Sequence, residues 1–196
     1  MSIPIYLNSN IGTTVEIGSI PQIYINDLHL KLCHPSDAKE VLAFEAENRS
    51  FFAKTVEDRG DDFFSLSKVE SHLWHNAMGA QNDSAYYFLL RRGNELIGRI
   101  NLTDIVRPYY NKATIGYRFA ATTQGKGLAT QGVAMALIMA ERMLGLHRIE
   151  TTVELRNEAS LRVLQKNNFD IIGKIKRGVF MHGEWRDLYY LSRLLA

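Results

Sequence analysis

Ile115-Gly116-Tyr117-Arg118-Phe119-Ala120-Ala121-Thr122-Thr123-Gln124-Gly125-Lys126-Gly127-Leu128-Ala129-Thr130 is the stretch whose reading decides the fold. Ile115, Tyr117 and Phe119 alternate with smaller or polar residues, as in a pleated strand. Gly125 and Gly127 then allow a tight turn and leave the backbone open to a ligand. Beyond them Ala129, Val133, Ala136, Leu137, Ala140 and Leu144 recur at helical spacing and predict a helix from about Leu128 to Leu144. The start of that helix offers N–H groups without helical partners and the positive end of its dipole, which suits a phosphate. The turn matches neither of two common nucleotide motifs. It lacks the Gly-x-x-x-x-Gly-Lys-Ser/Thr run of a P-loop. It is also no Gly-x-Gly-x-x-Gly opening a first strand–helix–strand unit.

Working outward, His147 to Leu155 is the next strand, so the central helix is a crossover between parallel, right-handed neighbours. Upstream, Tyr86–Arg92 and Glu95–Val106 form a hairpin about Gly93-Asn94, and a third strand runs from about Tyr109 to Phe119. Ile23 to Cys33 reads as a strand with a turn or bulge at Asn26-Asp27. Helices follow, capped by Ser36 or Asp37 and reaching about Asn48, then from about Ser65 to Met78. Between them lies a loop with four acids, Glu57, Asp58, Asp61 and Asp62. Downstream, Asn157 can cap a short helix to about Asn167, and Phe169–Lys176 and Glu184–Leu194 close the chain as a hairpin around His182-Gly183. Residues 1–21, broken by Pro4, Gly12, Gly18 and Pro21, are expected to form an arm with one short strand, and residues 22–196 a single domain.

At 196 residues, with 46% apolar and 22% charged content, an ordinary globular domain is expected. A net charge of +2 argues against nucleic acid as a direct partner. The single cysteine, Cys33, excludes an internal disulfide, and no Cys–His pair marks a nucleophile. His34, His72, His75, His147 and His182 show no ligand spacing, so no metal is expected. No apolar run is long enough to span a membrane, and the first residues lack a signal-peptide layout, so the expected location is cytoplasmic.

Gln124-Gly125-Lys126-Gly127-Leu128-Ala129 resembles the Gln/Arg-x-x-Gly-x-Gly/Ala signature of the GNAT acyltransferases. Asn157-Glu158-Ala159-Ser160, Asn168-Phe169 and Gly183-Glu184-Trp185-Arg186-Asp187 follow at the family's spacing. Together they resemble the ribosomal-protein-alanine N-acetyltransferase (RimJ/RimL) branch, from about Leu28 to the C-terminus. The resemblance implies an α/β fold of the α+β kind, a mixed, mainly antiparallel sheet flanked by helices. It implies acetyl-CoA as co-substrate, with the pantetheine arm in a gap between the strand before the glycine turn and the strand after the long helix. Tyr117, Arg118 and Phe119 would meet pantetheine and the acyl group through their backbones. Gln124, Gly125, Lys126, Gly127, Leu128, Ala129 and Thr130 would hold the pyrophosphate, and Asn157 would also contact coenzyme A. The segment between the first two helices would form much of the acceptor pocket, where the acidic loop could attract a cationic amine; the reading preferred for any single acid is a solvated charged loop beside core phenylalanines.

Acetyl transfer to an amine needs a positioned donor, loss of the amine's proton, a stabilised oxyanion and a protonated leaving thiolate. Many family members use a tyrosine one turn after Ser160, but Leu164 stands there. Ser160 matches a serine proposed as the acid in the RimL branch; the other reading is a helix-surface serine. A glutamate used as base in part of that branch is replaced by Val179. Glu154 is the candidate from its strand position, against a solvent-facing glutamate or a base made of bound water. Ala46-Glu47-Asn48-Arg49 belongs to the RimJ-like pattern, which implies a protein N-terminus, typically of a ribosomal protein, as acceptor. Direct attack in a ternary complex is expected over a covalent intermediate, because no activated nucleophile is visible. Alternatives are a polyamine, aminoglycoside or amino acid acceptor, or a coenzyme A-binding regulator without turnover. The chain is expected to be a monomer or homodimer.

Overall fold

A computed structural model describes residues 3–6, 13–17 and 22–195. Ten strands form one sheet: β1 Ile3–Tyr6, β2 Thr13–Ile17, β3 Gln22–Ile25, β4 Leu28–Leu32, β5 Tyr86–Arg92, β6 Glu95–Val106, β7 Lys112–Phe119, β8 Arg148–Glu154, β9 Asp170–Met181 and β10 Glu184–Leu194. Their order is β1-β2-β3-β4-β5-β6-β7-β8-β10-β9. Every pairing is antiparallel except β7 with β8. The helices are α1 Ala38–Glu47, α2 Arg49–Phe52, α3 Leu66–Gln81, α4 Leu128–Arg142 and α5 Glu158–Lys166.

Two expectations change. The stretch from Ile23 to Cys33 is a hairpin of β3 and β4, because Asn26 takes a left-handed φ of 54° and reverses the chain. The region 1–21 holds two strands that extend the sheet, not one; its other residues lie outside those described.

The middle of the sheet is buried on both faces, while β9 at its edge is largely exposed. In β5, Phe88 and Leu90 join α4 and α5 in one core, and Leu89 joins α1 and α3 in another. Successive strand residues point to opposite faces, which is why three apolar residues in a row are needed there. Each such fully buried side chain contributes roughly 1.5–3 kcal/mol. Cys33 belongs to the second core, where burial pushes its thiol up to about 11. α4 lies tight on the first face because Gly132 gives it room: a Cβ there would stand 2.8 Å from Leu90 Cδ2 and 2.9 Å from Phe119 Cζ.

β7 and β8 pair only over Lys112–Thr114 against Arg148–Glu150. Beyond that, β7 stays with β6 as far as Phe119, and β8 stays with β10 as far as Glu154. Each strand is held by its outer neighbour, so the two part like a fork. Thr151 bridges the base of the fork, its hydroxyl donating to the Ile115 carbonyl at 2.8 Å.

Candidate active site

A cavity of about 550 Å³ opens at this fork. Its walls include Ile115, Gly116, Tyr117 and Arg118 from β7, Thr151 to Glu154 from β8, and Asn157 and Ser160 at the start of α5. Thr55 to Glu57 and Arg59 from the loop before α3 enclose another side, with Val179 to Met181 from β9.

Ser160 lies where α5 begins. The Asn157 side chain caps this helix, accepting from the Ser160 N–H at 3.1 Å, which fixes the serine's direction. Ser160 Oγ is 2.8 Å from the Tyr117 hydroxyl, and that hydroxyl also lies 3.2 Å from the Ser160 carbonyl. Burial pushes the Tyr117 phenol up to about 12, so it stays protonated near neutral pH. Sequence reasoning assigned Tyr117 a backbone role; a strand pattern gives the face of a side chain but not its partner across the gap.

Glu154 ends β8 on the cavity wall, not out in solvent. Its side chain is 12% exposed, and Oε2 accepts from Arg186 Nη1 at 3.2 Å. Glu150, on the same strand, is instead tied to Lys112 at 2.8 Å.

On the opposite side of β7, Arg118 reaches Glu45 of α1 at 2.9 Å. Arg99 of β6 holds the other oxygen of the same carboxylate, and Arg59 approaches it at 3.7 Å. Burial opposes a charge on Glu45, but Arg99, Arg118 and Arg59 outweigh it and hold its carboxyl below the usual range. His72 of α3 faces the same cavity; burial, with Arg99 and Arg59 beside it, pulls its imidazole down to about 4. This cluster was not read from the sequence. A signal existed for Glu45, which sits four residues after buried Val41 on α1; for Arg99 none did, because an irregularity in the β5–β6 pairing beside Ile97 breaks the alternation, and Ile97 belongs to the other core.

Two of the four acids of the loop before α3 are taken up by one arginine. Arg49 takes up Asp58 at 2.6 Å and Asp61 at 2.7 Å, and its guanidinium lies over the Phe64 ring. Of the four acids, Glu57 alone lines the cavity, and it accepts from the His182 N–H at 2.6 Å.

The glycine turn sits at the end of β7, beyond the walls of the cavity. Gln124, Gly125, Lys126 and Gly127 are exposed, Leu128 is buried, and Ala129 and Thr130 are half-buried. Gly125 and Gly127 have φ of 73° and 74°, a left-handed geometry that costs other residues about 1–2 kcal/mol. The Phe119 ring packs into the core beside Gly98 and Gly132. Asn48 braces the start of the turn, its side-chain oxygen accepting from the Ala121 N–H at 2.9 Å.

Residues 27–170 match the acetyltransferase (GNAT) domain family. The chain belongs to this GNAT family. It is 32% identical over 174 residues to the probable N-acetyltransferase YjcK of Bacillus subtilis, covering 88% of this chain and 93% of that one. It is 29% identical to the [ribosomal protein uS5]-alanine N-acetyltransferase of Escherichia coli, over 86% of this chain and 89% of the relative. Its fold matches the structure titled Mycobacterium smegmatis RimJ in complex with CoA-disulfide, with a TM-score of 0.80 and 22% identity over 94% of this chain and 86% of that one. The expected GNAT sheet and helices are therefore present, and the protein is an acetyl-CoA-dependent N-acetyltransferase by family. Among the described residues no helix is long and apolar enough to cross a membrane, and no three His, Cys, Asp or Glu side chains gather as metal ligands.

Proposed function

We propose that this protein transfers an acetyl group from acetyl-CoA to the N-terminal α-amine of a protein, a ribosomal protein being the target class suggested by its relatives. The observation that carries the reading is the fork between β7 and β8, opening on a cavity with a serine–tyrosine pair and a carboxylate on its walls. The residues present fit the co-substrate. The parted strands leave backbone groups that need partners, as an extended pantetheine arm would supply. The turn from Gln124 to Thr130 ends at the start of α4, where N–H groups and the helix dipole suit a pyrophosphate. When bound, acetyl-CoA supplies a thioester carbonyl for attack by the acceptor amine.

The chain's own residues then have distinct tasks. Backbone groups of Tyr117, Arg118 and Phe119 hold the donor arm, and Asn157 fixes the start of α5 beside it. The Ser160 hydroxyl donates a proton toward the departing sulfur, and the Tyr117 hydroxyl, kept protonated by burial, donates in turn to Ser160. Glu154 receives the amine's proton, directly or through one water, with Arg186 fixing its carboxylate. A peptide α-amine has a pKa near about 8, so a weak base suffices.

Thiol release, measured in single turnover, tests these roles. Ser160→Ala and Glu154→Gln should each slow transfer by about a hundredfold while acetyl-CoA binding stays within about twofold. Rates equal to wild type in either variant would remove that residue from the reaction.

A further inference from the structure

The charges around the cavity describe the acceptor more closely. Arg59, Arg99 and Arg118 all line it, and all three converge on the single Glu45 carboxylate. The Glu45 side chain is 2% exposed and that of Arg99 5%, so bulk water screens this cluster weakly. One carboxylate facing three guanidiniums leaves a local surplus of positive charge. Of the other carboxylates on the wall, Glu154 is paired with Arg186, and Glu57 keeps its charge, but its side chain is 63% exposed, so water screens it far more than the buried cluster. His72 adds no positive charge at neutral pH, because burial, with Arg99 and Arg59 beside it, depresses its pKa to about 4. Arg59 is itself drawn down to about 10, by burial and by Arg118.

Of the three, Arg59 is the least committed to Glu45. Its contact is 3.7 Å, whereas Arg118 stands at 2.9 Å, and its guanidinium is held 4.4 Å from the Phe63 ring centroid. A planar fork held on an aromatic face loses little freedom on binding a carboxylate or phosphate, and can bind it through two parallel hydrogen bonds. A polyamine would meet repulsion at this wall. The cavity therefore has unlike sides, the Glu154–Arg186 pair at the end of β8 and the guanidinium cluster across β7.

We propose that the acceptor is an amine that also carries an anionic group, a carboxylate or phosphate a few atoms from its nitrogen, and that Arg59, with Arg99 and Arg118, binds that anion. The proposal rests on the acetyl-transfer reading but not on the acceptor being a protein. An acidic side chain near a protein N-terminus and the carboxylate of a free amino acid offer the same chemistry.

Steady-state kinetics on the full chain would test it. Peptides differing only in Asp, Asn or Lys at the second or third position would be compared, with free glutamate, glutamine and spermidine as separate arms. An acidic peptide, or a free amino acid, should exceed its Lys-bearing or polyamine counterpart by at least about tenfold in kcat/KM, chiefly through KM. Arg59→Gln should abolish that preference and Arg59→Lys should retain part of it. Equal use of acidic, neutral and basic acceptors would overturn the proposal. So would an Arg59→Gln variant that slows every acceptor equally, the mark of a structural role. Preference between the peptide and amino acid arms identifies the source of the anion. Turnover of nothing would count against the acetyl-transfer reading, and calorimetry with the acetylated peptides would then decide the anion question alone. Tighter binding of the acidic product, lost in Arg59→Gln, supports it, and equal binding overturns it.

Discussion

Tyr117 and Ser160 lie 43 positions apart and meet at 2.8 Å, so either hydroxyl can be tested through the other. Tyr117→Phe removes the partner of Ser160 without removing the ring; the expected result is a drop of about tenfold in kcat with acetyl-CoA affinity unchanged. An unchanged kcat would show that Ser160 acts alone. His72 carries a prediction of a different kind. Its folded pKa of about 4 lies below the usual 6.5, so below pH 6.5 the unfolded chain takes up a proton that the folded chain refuses. Stability should therefore fall as pH drops from about 6.5 to about 4, by up to about 3 kcal/mol from this group. His72→Gln should flatten that part of a urea-denaturation series; an unchanged slope would show that neither burial nor the guanidiniums depress the His72 imidazole. Asn157, Ser160 and Glu154, which line the cavity, could be singled out in the sequence because each sits at a motif position or on a short strand near one. Tyr117's hydroxyl and the Glu45–Arg99 pair were not, because their partners are distant in sequence and a charge at an apolar position does not name what neutralises it.

The elements around the fork depend on a few close approaches. Phe119 leaves β7 and packs its ring between β6 and α4. A Cβ on Gly98 would stand 2.6 Å from Phe119 Cδ1, and one on Gly132 2.9 Å from Cζ of the same ring. Gly98→Ala and Gly132→Ala should each cost about 1–3 kcal/mol through displacement of that ring, measured as a lower urea midpoint with unchanged slope. Wild-type midpoints would mean that Phe119 can move aside without loss. Helices and hairpins were legible because their periodicities are local: the β5–β6 hairpin and α3, α4 and α5 stand within a few residues of their expected bounds. The reversal at Asn26 was blurred because apolar residues alternate on both sides of it. The insertion of β10 between β8 and β9 left no sequence signal of its own, since pairing with β8 spans the whole of α5 and β9.

Across the whole molecule, total charge and local charge say different things. A net charge of +2 is unremarkable, and the acidic loop suggested a pocket for cations. The fold gives Asp58 and Asp61 to Arg49 and brings Arg59, Arg99 and Arg118 around one buried carboxylate, so the wall proposed to meet the acceptor carries three guanidiniums. Only the three-dimensional arrangement reveals that reversal, because α1, β6, β7 and the loop before α3 each contribute one charge. The proposed donor side could be named from a contiguous turn and its downstream motifs, whereas the proposed acceptor side is assembled from separated segments. The most direct measurement is thiol release from acetyl-CoA, with product masses, over peptides beginning with Ala, Ser, Met or Gly, beside spermidine and an aminoglycoside. The account predicts turnover on the peptides, with the added mass on the α-amine and Ala or Ser preferred. Turnover confined to spermidine or the aminoglycoside, with every peptide unmodified, would contradict it.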